Sequence, residues 1–379
     1  LPEVRLRTHQ GRDAGAHALR TGVDLLFNAD TITYPRSVRG AYTFSSLANF
    51  LSGVYNNAGF TQTFGQSVVA QTSPNIGVYV QDEWRARPGL TVNAGLRYDL
   101  QFLDTITTDR DNVAPRLGFA WSPAATRRTV VRGSAGLFYD RVPLRPLANA
   151  LLSAGNTTDL SQLRQLGVSL SPSQNGAPSF PAILPGVVPS VTLVNLTTMD
   201  RHLQNASSRQ ASLELEHRLG TGVALSVGYQ YLRGDQLIMS VNQNVPACVA
   251  SGSNNGCRPN PAYANNSQYS SAGHSTYHGM HLTVSQRPAG WASYRVSYTY
   301  SKSMNNVGEN FFSSPIDPFD LSKDWGRSDD DQRHRLVANG SLQASDEARG
   351  GAAARLVHGF QLSGFVQYYS ALPFNITSG

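Results

Sequence analysis

Apolar and polar residues alternate one for one over long stretches of this chain. From Leu90 to Phe102 one side carries Leu90, Val92, Ala94, Leu96, Tyr98, Leu100 and Phe102, and the other Thr91, Asn93, Gly95, Arg97, Asp99 and Gln101. A period of two puts successive side chains on opposite faces of a β-strand. These thirteen residues far exceed the usual strand length of about five or six.

The pattern recurs. Leu19, Val23, Leu25 and Phe27 share one side of His17 to Phe27, and Ile76, Val78, Val80 and Trp84 alternate with Gly77, Tyr79, Gln81, Glu83 and Arg85. Val113 to Ser122 and Thr129 to Arg141 follow, then Gln210 to Leu219, Val223 to Tyr231, Met280 to Arg287 and Ser293 to Tyr300. Less regular versions lie near 332–343 and 360–369, and a weaker one at Val4 to Gln10. The total is about eleven clear strands and one weak one.

Their connectors alternate in length. Short ones fall near 11–15, 86–89, 123–128, 219–222 and 288–290, with a somewhat longer one near 345–357. Connectors near 29–73, 103–112, 142–207, 233–274 and 303–330 lie between them, most of them very long. The predicted fold is an all-β, antiparallel up-and-down sheet with one end trimmed and the other elaborated. A soluble sandwich does not require strands of this length or such segregation of loops. A transmembrane β-barrel does, since only a closed sheet satisfies strand backbone groups in hydrocarbon, and its loops are short on the periplasmic side and long outside.

Composition bears on the same choice. The chain has no run of about eighteen apolar residues, which excludes a spanning helix but not spanning strands of about nine to eleven residues. Aromatics divide by end: Trp84 and Trp121 beside short turns, and Tyr98, Phe102, Tyr139, Tyr231, Tyr300 and Tyr368 near long loops, as two interfacial girdles. On the polar side, Arg97, Asp99, Arg116, Glu214, Glu216 and Arg295 are expected to face the lumen. Internal repeats that would mark a propeller or solenoid are not found.

Charge and candidate chemistry narrow the function. A net charge of +6 with scattered Lys and Arg shows no basic stripe, so a nucleic-acid partner is not expected. The two cysteines, Cys248 and Cys257, flank VASGSNNG. Without a second pair or a nearby His they read as a loop-closing disulfide, implying an oxidising compartment, rather than as idle thiols or half a metal site. Asp317, Asp320, Asp324, Asp329, Asp330 and Asp331 precede Arg333, His334 and Arg335. A calcium loop is conceivable chemically, but the spacing is not that of an EF-hand, and a loop whose acids pair with its bases is the expectation. His274 and His278 fall on one face and His281 on the other, so the three do not converge on a metal or a nucleophile. No catalytic constellation and no cofactor site is predicted.

The segments YVQDEWRARPGLTVNAGLRYDL, APRLGFAWSP, TVVRGSAGLFYDR, YTYSKSMNN and DPFDLSKDWGRSDDDQRHRLVANGSL, with the closing HGFQLSGFVQYYSALPFNITSG, resemble the barrel of TonB-dependent outer-membrane transporters. Within them they are most similar to the Oar-like group, which carries an N-terminal carboxypeptidase-regulatory-like domain and a plug. The resemblance implies a bacterial outer-membrane location, lipid contact, a plug domain inside a barrel of about 22 strands, and coupling to TonB. Neither a plug nor a coupling box is visible in residues 1–379, so the chain is expected to be a partial barrel domain, an internal piece with about twelve of those strands. The resemblance implies loops that capture a substrate, whether siderophore, glycan, peptide or exported protein, and no enzyme activity. Two other readings stay open at this point: a self-contained passive pore or adhesin barrel, and a secreted carbohydrate-binding β-protein.

Overall fold

The computed structural model describes residues 3–123, 128–186, 194–220, 222–248, 257–289, 292–308, 314–343 and 359–374. In chain order the elements begin with strands β1 (Glu3–Ala14) and β2 (His17–Thr33), the short β3 (Ala41–Tyr42), helix α1 (Leu47–Ser52) and β4 (Phe60–Gly65). Next come β5 (Val68–Arg87), β6 (Leu90–Gln101), β7 (Val113–Trp121), β8 (Thr129–Tyr139) and helix α2 (Leu144–Ala154). Strands β9 (Gln165–Leu170), β10 (Leu196–Met199), β11 (Ser207–Leu219), β12 (Val223–Asn242), β13 (Asn266–Ala289) and β14 (Ala292–Asn305) follow. The last are β15 (Gly326–Arg327), β16 (His334–Gln343) and β17 (Gln361–Tyr369).

Twelve strands pair in one antiparallel path, β1-β2-β5-β6-β7-β8-β11-β12-β13-β14-β16-β17, each hydrogen-bonded to the next spanning strand along the chain. Among the described residues, β1 and β17 pair on one side only. Register keeps each face continuous. Leu25 lies opposite Ile76, Val80 opposite Leu96, Ala94 opposite Leu117, and Leu213 opposite Tyr229. Leu282 continues the row opposite both Val227 and Tyr298. Because the side-chain period is two, a slip of one residue in any pair would turn a strand's apolar set toward the polar face.

These apolar side chains are not a core. Leu96, Leu117, Leu213 and Met280 are all exposed to about half their surface, forming a contiguous apolar band of a kind that soluble proteins do not leave in water. Its solvent is lipid. Trp84 and Trp121 lie at the trimmed end of that band, Trp84 stacked on His17 with ring centroids 5.8 Å apart. Phe102, Tyr139, Tyr231 and Tyr300 lie at the elaborated end, and the Tyr98 hydroxyl donates to the Arg110 carbonyl there.

The buried core lies instead in the long loops. Leu147, Ala148, Leu151 and Leu152 of α2 pack with Val69, Val142, Met199, Leu203 and Tyr269. A second cluster joins Tyr55, Phe60, Val168, Leu170 and Leu184. Strand β4 pairs with β9, so the loop between β2 and β5 and the loop between β8 and β11 fuse into one small sheet, β3-β4-β9. From the second of these loops, β10 pairs in parallel with the upper end of β13.

Several boundaries depart from the sequence expectation. The strand read as His17 to Phe27 runs to Thr33, β12 continues to Asn242, and β13 starts at Asn266. The segments read as connectors 29–73, 142–207 and 233–274 therefore contain strand and helix. The reason is the solvent: above the membrane neither face of a strand needs to be apolar, so SVN of β12 and NSQYSS of β13 carry no alternation. The weak segment Val4 to Gln10 is a full strand, paired from Glu3 opposite Asn28 to Ala14 opposite His17. The turn expected near 123–128 and the connector 345–357 fall largely or wholly outside the described residues, whereas the turn expected near 288–290 begins one step later, since β13 runs to Ala289, which pairs with Ala292.

Candidate functional site: the polar wall and the extracellular cap

The polar face of β1, β2, β5, β6 and β7 carries a linked set of charges. Arg97 donates to both carboxylate oxygens of Asp99, Nε at 2.7 Å and Nη2 at 2.6 Å. Arg7 does the same to Asp24, both bonds 3.1 Å, and Arg97 lies 3.6 Å from Asp24, which joins the two forks. Such bidentate guanidinium–carboxylate pairs fix geometry as well as charge. Gly77 sits opposite Asp99, and a Cβ there would collide with the Arg97 guanidinium and the Asp99 carboxylate. The missing side chain is what lets the pair lie flat on the wall. Arg116 stacks over Phe138 at 4.3 Å. The set borders a concavity of about 610 Å³ that also takes in Arg20, Tyr79, Gln81 and Gln210.

Further round the wall, Arg132 bonds Glu216 at 2.9 Å and Ser226 donates to Glu214 at 2.7 Å. Arg295 lies with Glu214, Glu216, Arg128, Arg218 and His281 around a second concavity of about 570 Å³. The six residues expected to face the lumen thus divide into two groups: Arg97, Asp99 and Arg116, and Glu214, Glu216 and Arg295. Sequence reading did not single out Arg7, Asp24 or Gly77. The signal for Asp24 was available, as an acid at a polar-phase position of an otherwise apolar strand. Gly77 could be understood only once its opposite neighbour was known.

Above the wall, the fused loops enclose a larger cavity of about 1020 Å³ between α2, β4, β9 and β13. Its lining is rich in hydroxyl and amide groups, among them Thr61, Thr63, Asn149, Ser169 and Thr197, with Tyr34 and Tyr269; its charged groups are Arg36 and Arg145. Among the described residues no carboxylate lines it. Asn149 donates to the Tyr269 hydroxyl at 3.1 Å, which ties helix α2 to the barrel strand. The neighbouring cluster on β3 and β4 is aromatic: Tyr42 packs edge-on against Tyr55 and Phe180 at 4.9 and 5.2 Å, and its hydroxyl donates to the Ala182 carbonyl. Burial pushes the phenols of Tyr42 and Tyr55 above their ordinary pKa.

The other singled-out residues fall as follows. Cys248 and Cys257 are disulfide-bonded, Cα atoms 5.7 Å apart, in the loop between β12 and β13. His274 bonds Asp235 at 3.1 Å, His278 bonds the Tyr229 hydroxyl at 2.6 Å, and His281 occupies the opposite, polar face beside Gly228. In the acidic loop, Asp317 pairs with Lys323, which holds its carboxyl below the usual range. Asp331 is fully buried between Arg327 at 2.7 Å and Arg333 at 3.1 Å, and accepts from the Ser303 amide at 2.7 Å. Burial opposes its ionisation, but the amide and the two guanidinium groups outweigh that and keep the carboxyl below its ordinary pKa. No group of three or more metal-ligating side chains occurs among the described residues.

The chain matches the outer membrane beta barrel domain family over residues 11–105 and 103–379. It is 28% identical over 158 residues, 36% of this chain and 14% of the relative, to the TonB-dependent transporter Oar of Myxococcus xanthus. Among solved structures it is similar to the outer membrane transporter YddB of Escherichia coli, with a TM-score of 0.57 at 14% identity, covering 97% of this chain and 46% of that one. The FrpB iron transporter of Neisseria meningitidis gives a TM-score of 0.51 at 14% identity, covering 90% of this chain and 41% of that one. At those identities the structures bear on the fold. In each case the chain spans less than half of the relative.

Proposed function

From a chain that belongs to the outer membrane beta barrel domain family, we propose that it is an arc of the barrel of a TonB-dependent transporter in the bacterial outer membrane. The observation that carries this reading is the pairing of a continuous lipid-facing apolar band with a charged inner wall beneath a loop cap that has its own core. An open aqueous pore needs only a hydrated wall. Interlocked forks such as Arg7–Asp24–Arg97–Asp99 suit a wall that holds a folded domain in one orientation, which is the role of a plug. The cap cavity, lined by amides, hydroxyls and two arginines, is the first candidate to receive a substrate from outside. The wall charges contact the plug, and the energy that rearranges the plug comes through TonB. The chain itself carries no catalytic step.

The complete gene product, purified from outer membranes and placed in planar bilayers, tests this. A plugged transporter gives no steady conductance until the plug is removed or unfolded. A large steady conductance from the native protein would replace the transporter reading with the passive pore.

A further inference from the structure

We propose that the outward face of β11 to β14, just above the tyrosine row, binds the phosphorylated headgroup of a glycolipid in the extracellular leaflet. Arg209, Arg233 and His274 gather around Asp235 and define the site, and Lys302 stands on the same face of β14, level with Tyr231 by register.

Arg209 lies directly opposite Arg233 across the β11–β12 pair. Two positions further along each strand come Ala211 and Tyr231, and then Leu213 and Tyr229, so both arginines belong to the lipid-facing phase. Like charges directly opposed across a sheet destabilise it. The single carboxylate between them, Asp235, is 3.7 Å from Arg209 and 3.0 Å from Arg233, and it also serves His274 at 3.1 Å. Lys302, opposite His278 on β14, adds a further cation on the same face. One carboxylate does not neutralise three permanent cations, and Arg209 and Arg233 keep 66% and 46% of their side-chain surface accessible. Among the described residues, Asp235 is the one carboxylate within ion-pair distance of Arg209 or Arg233.

Height identifies the partner. From Leu219 at the trimmed end, β11 climbs ten residues to Arg209. At about 3.3 Å per residue and a tilt near 45°, that is about 23 Å along the membrane normal, where an apolar band of about 25 Å ends. Immediately below, Tyr229 bonds His278, whose ring lies 5.1 Å from Tyr231. Amphipathic rings of this kind mark headgroup depth. Cations standing outward just above them meet lipid phosphates, and guanidinium forks match phosphate geometry.

The inference needs only the membrane location and not the transport reading, so silence or conductance in the bilayer test leaves it untouched. The test uses the complete gene product in a neutral detergent, with native mass spectrometry counting retained lipid. The probes are a bisphosphorylated lipid A-type glycolipid and its dephosphorylated counterpart. The wild-type protein is expected to retain the first and lose the second. The double substitution Arg209→Gln with Arg233→Gln is expected to weaken retention at least tenfold, while Arg209→Lys with Arg233→Lys keeps most of it. Gel mobility without boiling reports whether each barrel is folded, and the two-lipid comparison needs no variant. Equal retention of both lipids overturns the proposal, as does unchanged retention by a folded Gln variant. Displacement of the lipid by millimolar inorganic phosphate would assign the site to free phosphate instead.

Discussion

Asp331→Asn tests the electrostatic reading of the loop between β14 and β16. The substitution keeps the shape of the side chain and one oxygen for the Ser303 amide, but removes the charge shared by Arg327 and Arg333. Arg327 is half exposed and can be rehydrated, so its loss is that of a surface pair, below about 1 kcal/mol. Arg333 is only 23% exposed, and a charge-assisted bond from such a group is worth about 1.5–3 kcal/mol. The full cost of orphaning a buried ion, about 3–5 kcal/mol, does not apply, because neither guanidinium is sealed from water. About 2 kcal/mol of local stability is therefore expected to go, and at about 1.4 kcal/mol per decade that is about thirtyfold faster amide exchange. Hydrogen–deuterium exchange of peptides covering 314–333, corrected for intrinsic rate, measures it. The wild type has a pH counterpart. The folded pKa of Asp331 is depressed, so its contribution is complete above the unfolded carboxylate value of about 3.9 and is lost as pH falls through the lower folded value. Exchange within threefold of wild type in the variant would show that the loop is held by something other than this carboxylate.

Other outcomes follow from the same structure. Gly77→Val drives a side chain into the Arg97–Asp99 fork and is expected to cost about 2 kcal/mol, read as a lower urea midpoint of the folded barrel; an unchanged midpoint would mean the fork is not held in place. Leu117→Arg puts a charge in the lipid-facing band and is expected to cost about 2–4 kcal/mol if it lies near the bilayer centre, whereas an inner-wall change such as Gln210→Arg is expected to leave folding yield in vesicles near wild type. Leu147→Ala opens the sealed core under α2, with an expected loss of about 2–5 kcal/mol seen as faster exchange in 144–154 while the spanning strands keep their protection. EDTA is expected to leave exchange in 314–333 unaltered, since Asp317 and Asp331 already pair with Lys323, Arg327 and Arg333; calcium-dependent protection would assign the acids to a cation.

The spanning part of the fold was legible because the bilayer imposes one rule on every strand. Each must offer lipid an apolar phase, so Leu90 to Phe102 announces its own faces without reference to its neighbours. The strand order was equally legible, as short turns between long strands leave antiparallel neighbours little choice. The rule stops at the headgroups. Residues 28–33 of β2 and 232–242 of β12 continue as strand with no alternation to mark them, and the pairing of β4 with β9 joins residues about a hundred positions apart. Nothing in TQTFG or QLGVSL alone names its partner. The same limit applied on the inner wall: Arg97 and Asp99 were identifiable as polar-phase charges, but their link through Asp24 to Arg7 depends on register across four strands.

Two solvents divide the molecule and fix where its energetics lie. In the wall, exposed Leu96 and Leu213 lose nothing by facing lipid, so the sheet is held by paired backbone groups that hydrocarbon gives no alternative partner. In the cap, water returns, and with it the need to bury Leu147, Phe60 and Leu170 away from solvent. Cap and wall meet along the upper ends of the strands: β10 pairs with β13, the Gln101 amide donates to the Val142 carbonyl and accepts from the Val142 N–H, Gln71 donates to the Leu144 carbonyl, and Val69 and Tyr269 pack into the core under α2. The cap core is thus seated on the strand tops above the lipid band, so a loss of packing at Leu147 reaches β5 and β13 only at their extracellular ends.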